Sequence, residues 1–236
     1  MHKRKALALV AVMLISGLCL TGCPSKDTSE TTPETTPTTT QAPPLETTAK
    51  PVIYLYPETE TDVTLHLDYD GILTCTYPKY DEGWNVTAFP DGRIFDKGTK
   101  RTYDYLFWEG KRSFEDYEFT KAACVARENS VSFLEGYLSA SGLNDSEIDD
   151  FISYWLPKLE ASPYNLISFP NAQYEEWADL DVFPQPDTEI RVYMVFAPLE
   201  EAVEIPKEQR LETPSKPQRT GFTLVEWGGT ALESAQ

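Results

Sequence analysis

The segment NDSEIDDFISYWLPKL, residues 144–159, carries the strongest secondary-structure signal in the chain. Asn144 and Glu147 have the spacing of a capping pair, in which each side chain binds the backbone N–H of the other residue. One helical stripe holds the apolar residues of this segment, which are Ile148, Phe151, Ile152, Trp155, Leu156 and Leu159. The pattern predicts an amphipathic helix over about 145–159, and Pro157 should kink or end it.

A second helix is predicted directly before this one, over about 130–141. Asn129 can cap its first turn, and Leu134 and Leu138 share one face. Gly142 can end it, because glycine adopts the left-handed conformation that commonly closes a helix.

Strand-like runs precede the two helices and return after them. Val52–Tyr56 is a short apolar run, and apolar and polar residues alternate from Val63 to Leu67. Two turn signals, Asp70-Gly71 and Pro90-Asp91-Gly92, predict hairpins. Later strands are predicted at 166–169, 190–196 and 222–227. This order indicates an α+β domain, a mainly antiparallel sheet with the two helices packed on one side.

The chain begins with four polar or basic residues after Met1 and an apolar run from Ala6 to Leu20, which is too short to cross a membrane. The run ends in Leu20-Thr21-Gly22-Cys23. This resembles the bacterial lipoprotein signal, although Thr21 stands where Ser or Ala is more usual. The resemblance implies removal of residues 1–22, a lipid anchor on Cys23, and a domain on the extracytoplasmic side of a bacterial cell membrane. The alternative is an ordinary signal peptide with a chance Cys.

The amino-acid composition changes near residue 50, and the change distinguishes a tether from a folded domain. Residues 24–50 contain ten Thr and five Pro, whereas all five Trp, 13 Tyr and 11 Phe of the chain lie beyond them. A segment with so little to bury cannot offset its ordering entropy. We therefore predict a lipidated Cys and a disordered tether over 23–50, followed by one domain over 51–236.

The charge of the chain restricts its partners. The net charge is −18 at pH 7, and such a surface repels nucleic acid and anionic lipid headgroups. Nucleic acid is therefore not an expected partner, and the membrane is expected to be contacted only through Cys23. A cell-wall glycan or another exported protein remains as the expected partner.

Two cysteines remain in the predicted domain, Cys75 and Cys124. In an oxidising compartment such a pair is often a disulfide, and a bridge across this separation would add about 3–4 kcal/mol on the chain-entropy model. Two free thiols are the alternative, because some bacteria rarely form disulfides at their surface.

Four runs in the domain carry a resemblance to a known group of proteins. They are KPVIYLYP at 50–57, YWLP at 154–157, YNLISF at 164–169 and GFTLVEWGG at 221–229. Together these runs resemble an uncharacterised family of bacterial secreted proteins and lipoproteins. The resemblance covers about residues 50–229 and supports one domain, but it implies no activity.

The usual catalytic and metal motifs are missing from the sequence. The mature chain has one histidine, His66, on the polar phase of its strand, so a Cys–His or zinc site is not expected. Asp68-Tyr69-Asp70-Gly71 has some character of a calcium loop but lacks the closing Glu. We predict no catalytic residue, metal ligand or cofactor.

Aromatic residues beside acids at strand ends suggest a ligand site. The candidate contacts are Trp84, Trp108, Glu109, Glu226 and Trp227. Aromatic faces stack on sugars, and glycosidases use two carboxylates about 5–9.5 Å apart. The alternative is that these Trp residues fill the core.

Two functions compete on this basis. The favoured hypothesis is a non-enzymatic binding or scaffold domain tethered at the cell surface, with a glycan or protein partner. The alternative is a hydrolase of polysaccharide or cell-wall glycan that uses Glu109 and Glu226. Aromatic residues on a concave face would favour sugars, and a flat apolar patch would favour a protein.

Overall fold

The structure, a computed structural model, describes residues 45–114 and 117–232. The predicted signal at 1–22, Cys23 and residues 24–44 lie outside this part. Twelve strands and three α-helices occur within it. The strands are β1 Leu45–Tyr56, β2 Thr61–Tyr69, β3 Ile72–Tyr77, β4 Trp84–Ala88, β5 Ile94–Asp96, β6 Arg101–Tyr103, β7 Leu106–Ser113, β8 Ala123–Ala126, β9 Tyr164–Ser168, β10 Ala178–Phe183, β11 Thr188–Leu199 and β12 Thr223–Ala231. The helices are α1 Ser130–Ser141, α2 Asp145–Leu159 and α3 Asn171–Trp177.

The strands form two sheets. The larger has the order β3-β7-β1-β12-β11-β9-β8, and the smaller has the order β10-β2-β4-β5-β6. All neighbours are antiparallel except β11 and β12, which are parallel. The predicted α+β class with a mainly antiparallel arrangement is confirmed. The single sheet and the count of two helices are corrected to two sheets and three helices.

Two hydrophobic clusters lie on opposite faces of the seven-stranded sheet. One cluster packs α1 and α2 against the sheet, and the other packs the five-stranded sheet and α3 against it. Strand β1 contributes to both, since Val52 and Tyr54 belong to the helix side while Ile53 and Leu55 belong to the sheet side. Burial on both faces explains why β1 has a continuous apolar run rather than an alternating one.

The two predicted helices form over the predicted ranges, but the predicted cap of α1 is wrong, because the Asn129 side chain makes no capping hydrogen bond. Asn144 and Glu147 make a reciprocal capping box, with Glu147 N donating to Asn144 Oδ1 (3.0 Å) and Asn144 N donating to Glu147 Oε2 (2.8 Å). Gly142 closes α1 in the left-handed region, with a φ of 101°. Pro157 lies inside the last turn of α2, and the helix continues for two residues beyond it.

One predicted hairpin is confirmed and the other is wrong. Pro90-Asp91-Gly92 joins the antiparallel pair β4 and β5, and Gly92 has a φ of 86°. Asp70-Gly71 does not join paired strands, because β2 lies in the smaller sheet and β3 in the larger. The chain passes between the sheets at this point, where Asp70 N donates to Trp177 O (2.7 Å).

The described domain begins earlier than the predicted boundary at residue 51. Strand β1 starts at Leu45 and pairs with β7 over its first residues. Backbone pairing satisfies N–H and C=O groups whatever the side chains are, so composition gave no sign of it.

Of the two alternatives for Cys75 and Cys124, a disulfide or two free thiols, the structure has two free thiols. Cys75 lies in β3 and Cys124 in β8, at opposite edges of the seven-stranded sheet. Six interstrand spacings separate these edges, or roughly 29 Å. A disulfide requires Cα atoms within about 7 Å, so the fold excludes a bridge within one chain.

We expect two free thiols in the chain without residues 1–23. Alkylation in denaturant without a reductant should therefore add two alkyl groups by mass spectrometry. Dithiothreitol should leave the thermal midpoint unchanged, and the Cys75→Ser variant is the matched control with one thiol. A species that is alkylated only after reduction would contradict the arrangement of the strands.

Candidate functional site

Three Trp residues predicted to contact a ligand lie in the core instead. Trp84 is 1% exposed, and Trp108 and Trp227 are fully buried. The Trp84 indole N–H donates to the Pro78 carbonyl (2.9 Å). Because these rings have no accessible face, they cannot stack on a ligand, and the sequence-based assignment of these three contacts is corrected.

Glu226 lies in a buried network rather than at a surface. It is fully buried, and its Oε1 accepts a hydrogen bond from the Trp108 indole N–H (3.0 Å). Its Oε2 accepts from Arg191 Nε (2.8 Å), and Arg191 Nη2 also donates to the Ala178 carbonyl (2.5 Å). Since Ala178 belongs to β10, the Arg191 side chain links the two sheets.

Aromatic rings complete this buried network. The Arg191 guanidinium carbon lies 4.8 Å from the centre of the Tyr174 ring, which stacks on Tyr193 at 4.1 Å. Burial and the Glu226 carboxylate raise the pKa of Tyr174. Burial acts to lower the pKa of Arg191, but Glu226, Tyr174 and Glu189 together outweigh burial and raise that pKa. These contacts give Glu226 and Arg191 a structural role.

Glu109 lies on the other face of the seven-stranded sheet. Along β7, Leu106 and Trp108 belong to the cluster between the sheets, whereas Phe107 packs in the cluster under the helices. Alternation therefore places Glu109 on the helix side, where its Oε1 accepts from the Thr74 hydroxyl (3.1 Å). The structure does not bring Glu109 and Glu226 together.

A different group of residues lines a cleft of about 480 Å³. Arg112 comes from the end of β7, Phe114 and Tyr117 from the segment after it, and Gln173 and Trp177 from α3. The other residues that line the cleft are Ser113, Glu118 and Thr120. The volume falls within the range of small-molecule sites, about 300–1,000 Å³.

Three aromatic rings form one wall of this cleft. Phe114 is buried, while Tyr117 and Trp177 are half-buried. The Phe114 ring meets the Trp177 ring edge-on, with 5.3 Å between centroids and planes at 90°, and it meets the Tyr117 ring at 6.2 Å and 68°. Edge-to-face packing fixes each ring and adds about 0.5–1.5 kcal/mol per pair. Burial raises the pKa of the Tyr117 hydroxyl, which stays protonated at neutral pH.

Arg112 holds the Trp177 side of the wall. Its guanidinium carbon lies 4.2 Å from the Trp177 ring centre, and its Nη2 forms an ion pair with Asp70 Oδ2 (3.0 Å). The Asp70 backbone N–H in turn donates to the Trp177 carbonyl (2.7 Å). The junction between the two sheets thereby positions both Arg112 and Trp177. In the Asp68–Gly71 segment, which has some character of a calcium loop, Asp70 pairs with Arg112.

One feature of the sequence, the position of Trp177, indicates this cleft, although hydrophobic periodicity does not reveal it. Trp84, Trp108, Trp155 and Trp227 lie in strands or in the apolar stripe of α2, and all are buried. Trp177 instead follows Tyr174-Glu175-Glu176, in a polar stretch with no apolar period. A Trp that no element needs for its core is a candidate for a ligand contact.

Three of the runs that carry the family resemblance meet at one place in the structure. A Cβ added to Gly228 would lie 3.0–3.2 Å from atoms of Pro51, and one added to Gly229 would lie 2.8 Å from Trp155. The two glycines therefore permit the close approach of β1 and α2 to β12.

Lys50 lies at the same place in an aromatic environment. It has a φ of 47°, and its Nζ lies 5.1 Å from the Tyr154 ring centre and 5.4 Å from that of Trp227. Burial lowers the pKa of Lys50, and the negative charge of Asp150 offsets part of this decrease. Asp150 also accepts a hydrogen bond from the Tyr54 hydroxyl (2.9 Å). These contacts place the Lys50 ammonium among aromatic rings and within the electrostatic influence of Asp150.

Neither a cluster of metal ligands nor a membrane-spanning helix occurs among the described residues. Within residues 45–114 and 117–232, no three or more His, Cys, Asp and Glu side chains are grouped so as to hold a metal ion. His66 is exposed and packs beside Gly83. In the same part of the chain, every helix is too short or too polar to cross a bilayer.

Comparison with known proteins gives one informative match. An uncharacterized protein in the bglA 3′ region of Butyrivibrio fibrisolvens is 55% identical over 64 residues. The match covers 26% of this chain and 65% of the relative, which is less than two thirds of its length. No family model matches the chain, and no solved structure matches it.

Proposed function

We propose that the chain is a non-enzymatic glycan-binding domain of a lipid-anchored bacterial surface protein. The observation that carries the proposal is the cleft in which half-buried Tyr117 and Trp177 stand beside Arg112 and Gln173. A sugar ring presents an apolar C–H face and a rim of hydroxyl groups. An aromatic wall suits the face, and planar polar side chains suit the rim.

The content of the cleft favours binding over hydrolysis. Hydrolysis of a glycosidic bond uses two carboxylates on either side of the bond. Among the described residues that line the cleft, Glu118 supplies the carboxylate. The earlier candidate pair, Glu109 and Glu226, lies on two faces of one sheet, and Glu226 is compensated by Arg191. A concave aromatic wall likewise favours a sugar over a protein partner, which would call for a flat apolar patch.

The location of the domain is part of the same proposal. We infer from Leu20-Thr21-Gly22-Cys23 that residues 1–22 are removed and that Cys23 carries the lipid, and the Thr- and Pro-rich sequence then serves as the spacer. The folded domain would present its cleft to glycan outside the membrane.

Sedimentation tests the proposal directly. The chain without residues 1–23 is mixed with purified cell wall and with insoluble polysaccharides, and the supernatant is assayed for protein and for released reducing ends. We expect retention on at least one glycan without release. Release of reducing ends would establish hydrolysis instead. If no glycan retains the chain, the proposal fails, and crosslinking at the cell surface becomes the way to search for a protein partner.

A further inference from the structure

The positive charge of Arg112 in the cleft is already neutralised by a carboxylate of the same domain. Arg112 is its cation, and it pairs with Asp70 through Nη2 (3.0 Å) and approaches the Asp70 carbonyl through Nε (3.4 Å). The guanidinium is also covered on one face by the Trp177 ring. Because a charge that is matched in this way gains little from a second anion, Arg112 is not organised as a receptor for a free carboxylate or phosphate.

The rest of the cleft lining adds negative charge or none. Gln173, Ser113 and Thr120 are neutral, and Glu118 is an exposed acid. The chain as a whole carries a charge of −18. The exposed Glu118 and the net charge of the chain therefore both oppose an anionic ligand.

We propose that the cleft binds neutral glycans and discriminates against polyanionic ones such as uronate polymers and phosphate-linked wall polymers. This inference rests on the proposed glycan-binding function and specifies its class of ligand. The aromatic wall supplies attraction that does not depend on charge, since stacking on a sugar face is an apolar contact. Repulsion from the acidic surface supplies the discrimination, and salt screens it.

Soluble polymers with one backbone and different charge test this inference. Hydroxyethyl cellulose and carboxymethyl cellulose form one such pair, and neutral and carboxymethylated forms of xylan, mannan and starch complete the panel. Binding of the chain without residues 1–23 is measured by calorimetry or affinity electrophoresis at about 50 mM and 500 mM NaCl. We expect a neutral polymer to bind at least about ten-fold more tightly than its carboxymethylated form at low salt, with a smaller ratio at high salt.

The Asp70→Asn variant tests whether the ion pair with Asp70 prevents Arg112 from binding anionic ligands. It removes the negative charge beside Arg112 with little change in shape, so it should raise the affinity for carboxymethylated polymers about three-fold relative to the affinity for the neutral ones. Asp91→Asn is the matched control, because Asp91 pairs with Arg93 (2.7 Å) in the β4–β5 turn, at the opposite end of the smaller sheet.

The outcomes separate this inference from the proposed function. Binding of neutral polymers in preference to charged ones supports both. Equal or tighter binding of carboxymethylated polymers, weakened by salt, would overturn the neutral-ligand inference and leave glycan binding intact. Binding of neither class would overturn both.

Discussion

Replacement of Arg191 by Leu is expected to lower the free energy of unfolding by about 3–5 kcal/mol, because it leaves the fully buried Glu226 carboxylate without its charged partner. The same change removes the hydrogen bond to the Ala178 carbonyl that links the two sheets. Urea unfolding followed by circular dichroism measures the effect.

The double variant Arg191→Met, Glu226→Leu serves as the control. It removes both charges together, so it should recover much of the stability lost in Arg191→Leu. Lys79→Ala breaks an exposed ion pair with Asp81 and should leave the midpoint unchanged. A loss below about 1 kcal/mol in Arg191→Leu would show that Glu226 is not confined as described, and its assignment as a candidate catalytic acid would then be open again.

Replacement of Trp177 by Ala should weaken binding to the preferred glycan at least ten-fold, or about 1.4 kcal/mol, because it removes the half-buried ring from the wall of the cleft. Calorimetry with a soluble oligosaccharide measures this loss. The ring also packs on Phe114 and Arg112, so some loss of stability is expected alongside the loss of affinity.

Two further variants separate affinity from folding. Gln173 is exposed on α3 and lines the cleft, so Gln173→Ala should reduce affinity with the thermal midpoint unchanged. Phe183 is 76% exposed and lies outside the residues that line this cleft, so Phe183→Ala is the matched removal of a surface aromatic and should bind as the unmodified chain does. Wild-type affinity in both Trp177→Ala and Gln173→Ala would contradict the assignment of the site.

The parts of the fold that the sequence predicted well are those set by local signals. The helix α2 depends on the Asn144–Glu147 capping box and on a 3.6-residue period, and both act within one segment. The β4–β5 hairpin depends on Gly92, whose positive φ is a local requirement. Such elements form as predicted because the residues that specify them are neighbours in the chain.

The parts that were missed depend on contacts between distant residues. Asp70-Gly71 is a good turn sequence, yet β2 pairs with β4 and β10 while β3 pairs with β7. Tertiary pairing therefore overrode a local preference. Helix α3 has seven residues, too few to display a period, and its position depends on Tyr174 packing between the sheets.

The candidate site was also missed because it depends on contacts between residues that are distant in the sequence. The sequence identified aromatic and acidic residues at strand ends, but an aromatic residue in a strand with a regular period belongs to the core, as Trp108 and Trp227 do. The cleft instead combines the end of β7 with α3, which are about 60 residues apart in the chain. Only the fold places Arg112 and Phe114 beside Trp177.

The central claim is that glycan binds at the cleft beside Trp177, and the indole N–H signals of the five Trp residues in a ¹⁵N-labelled sample test it most directly. The indoles of Trp84 and Trp108 donate to groups inside the domain and serve as internal references. On titration with an oligosaccharide of the retained glycan, we predict a saturable shift of the Trp177 signal, with those of Trp84 and Trp108 unchanged. Binding that leaves the Trp177 signal in place would contradict the claim.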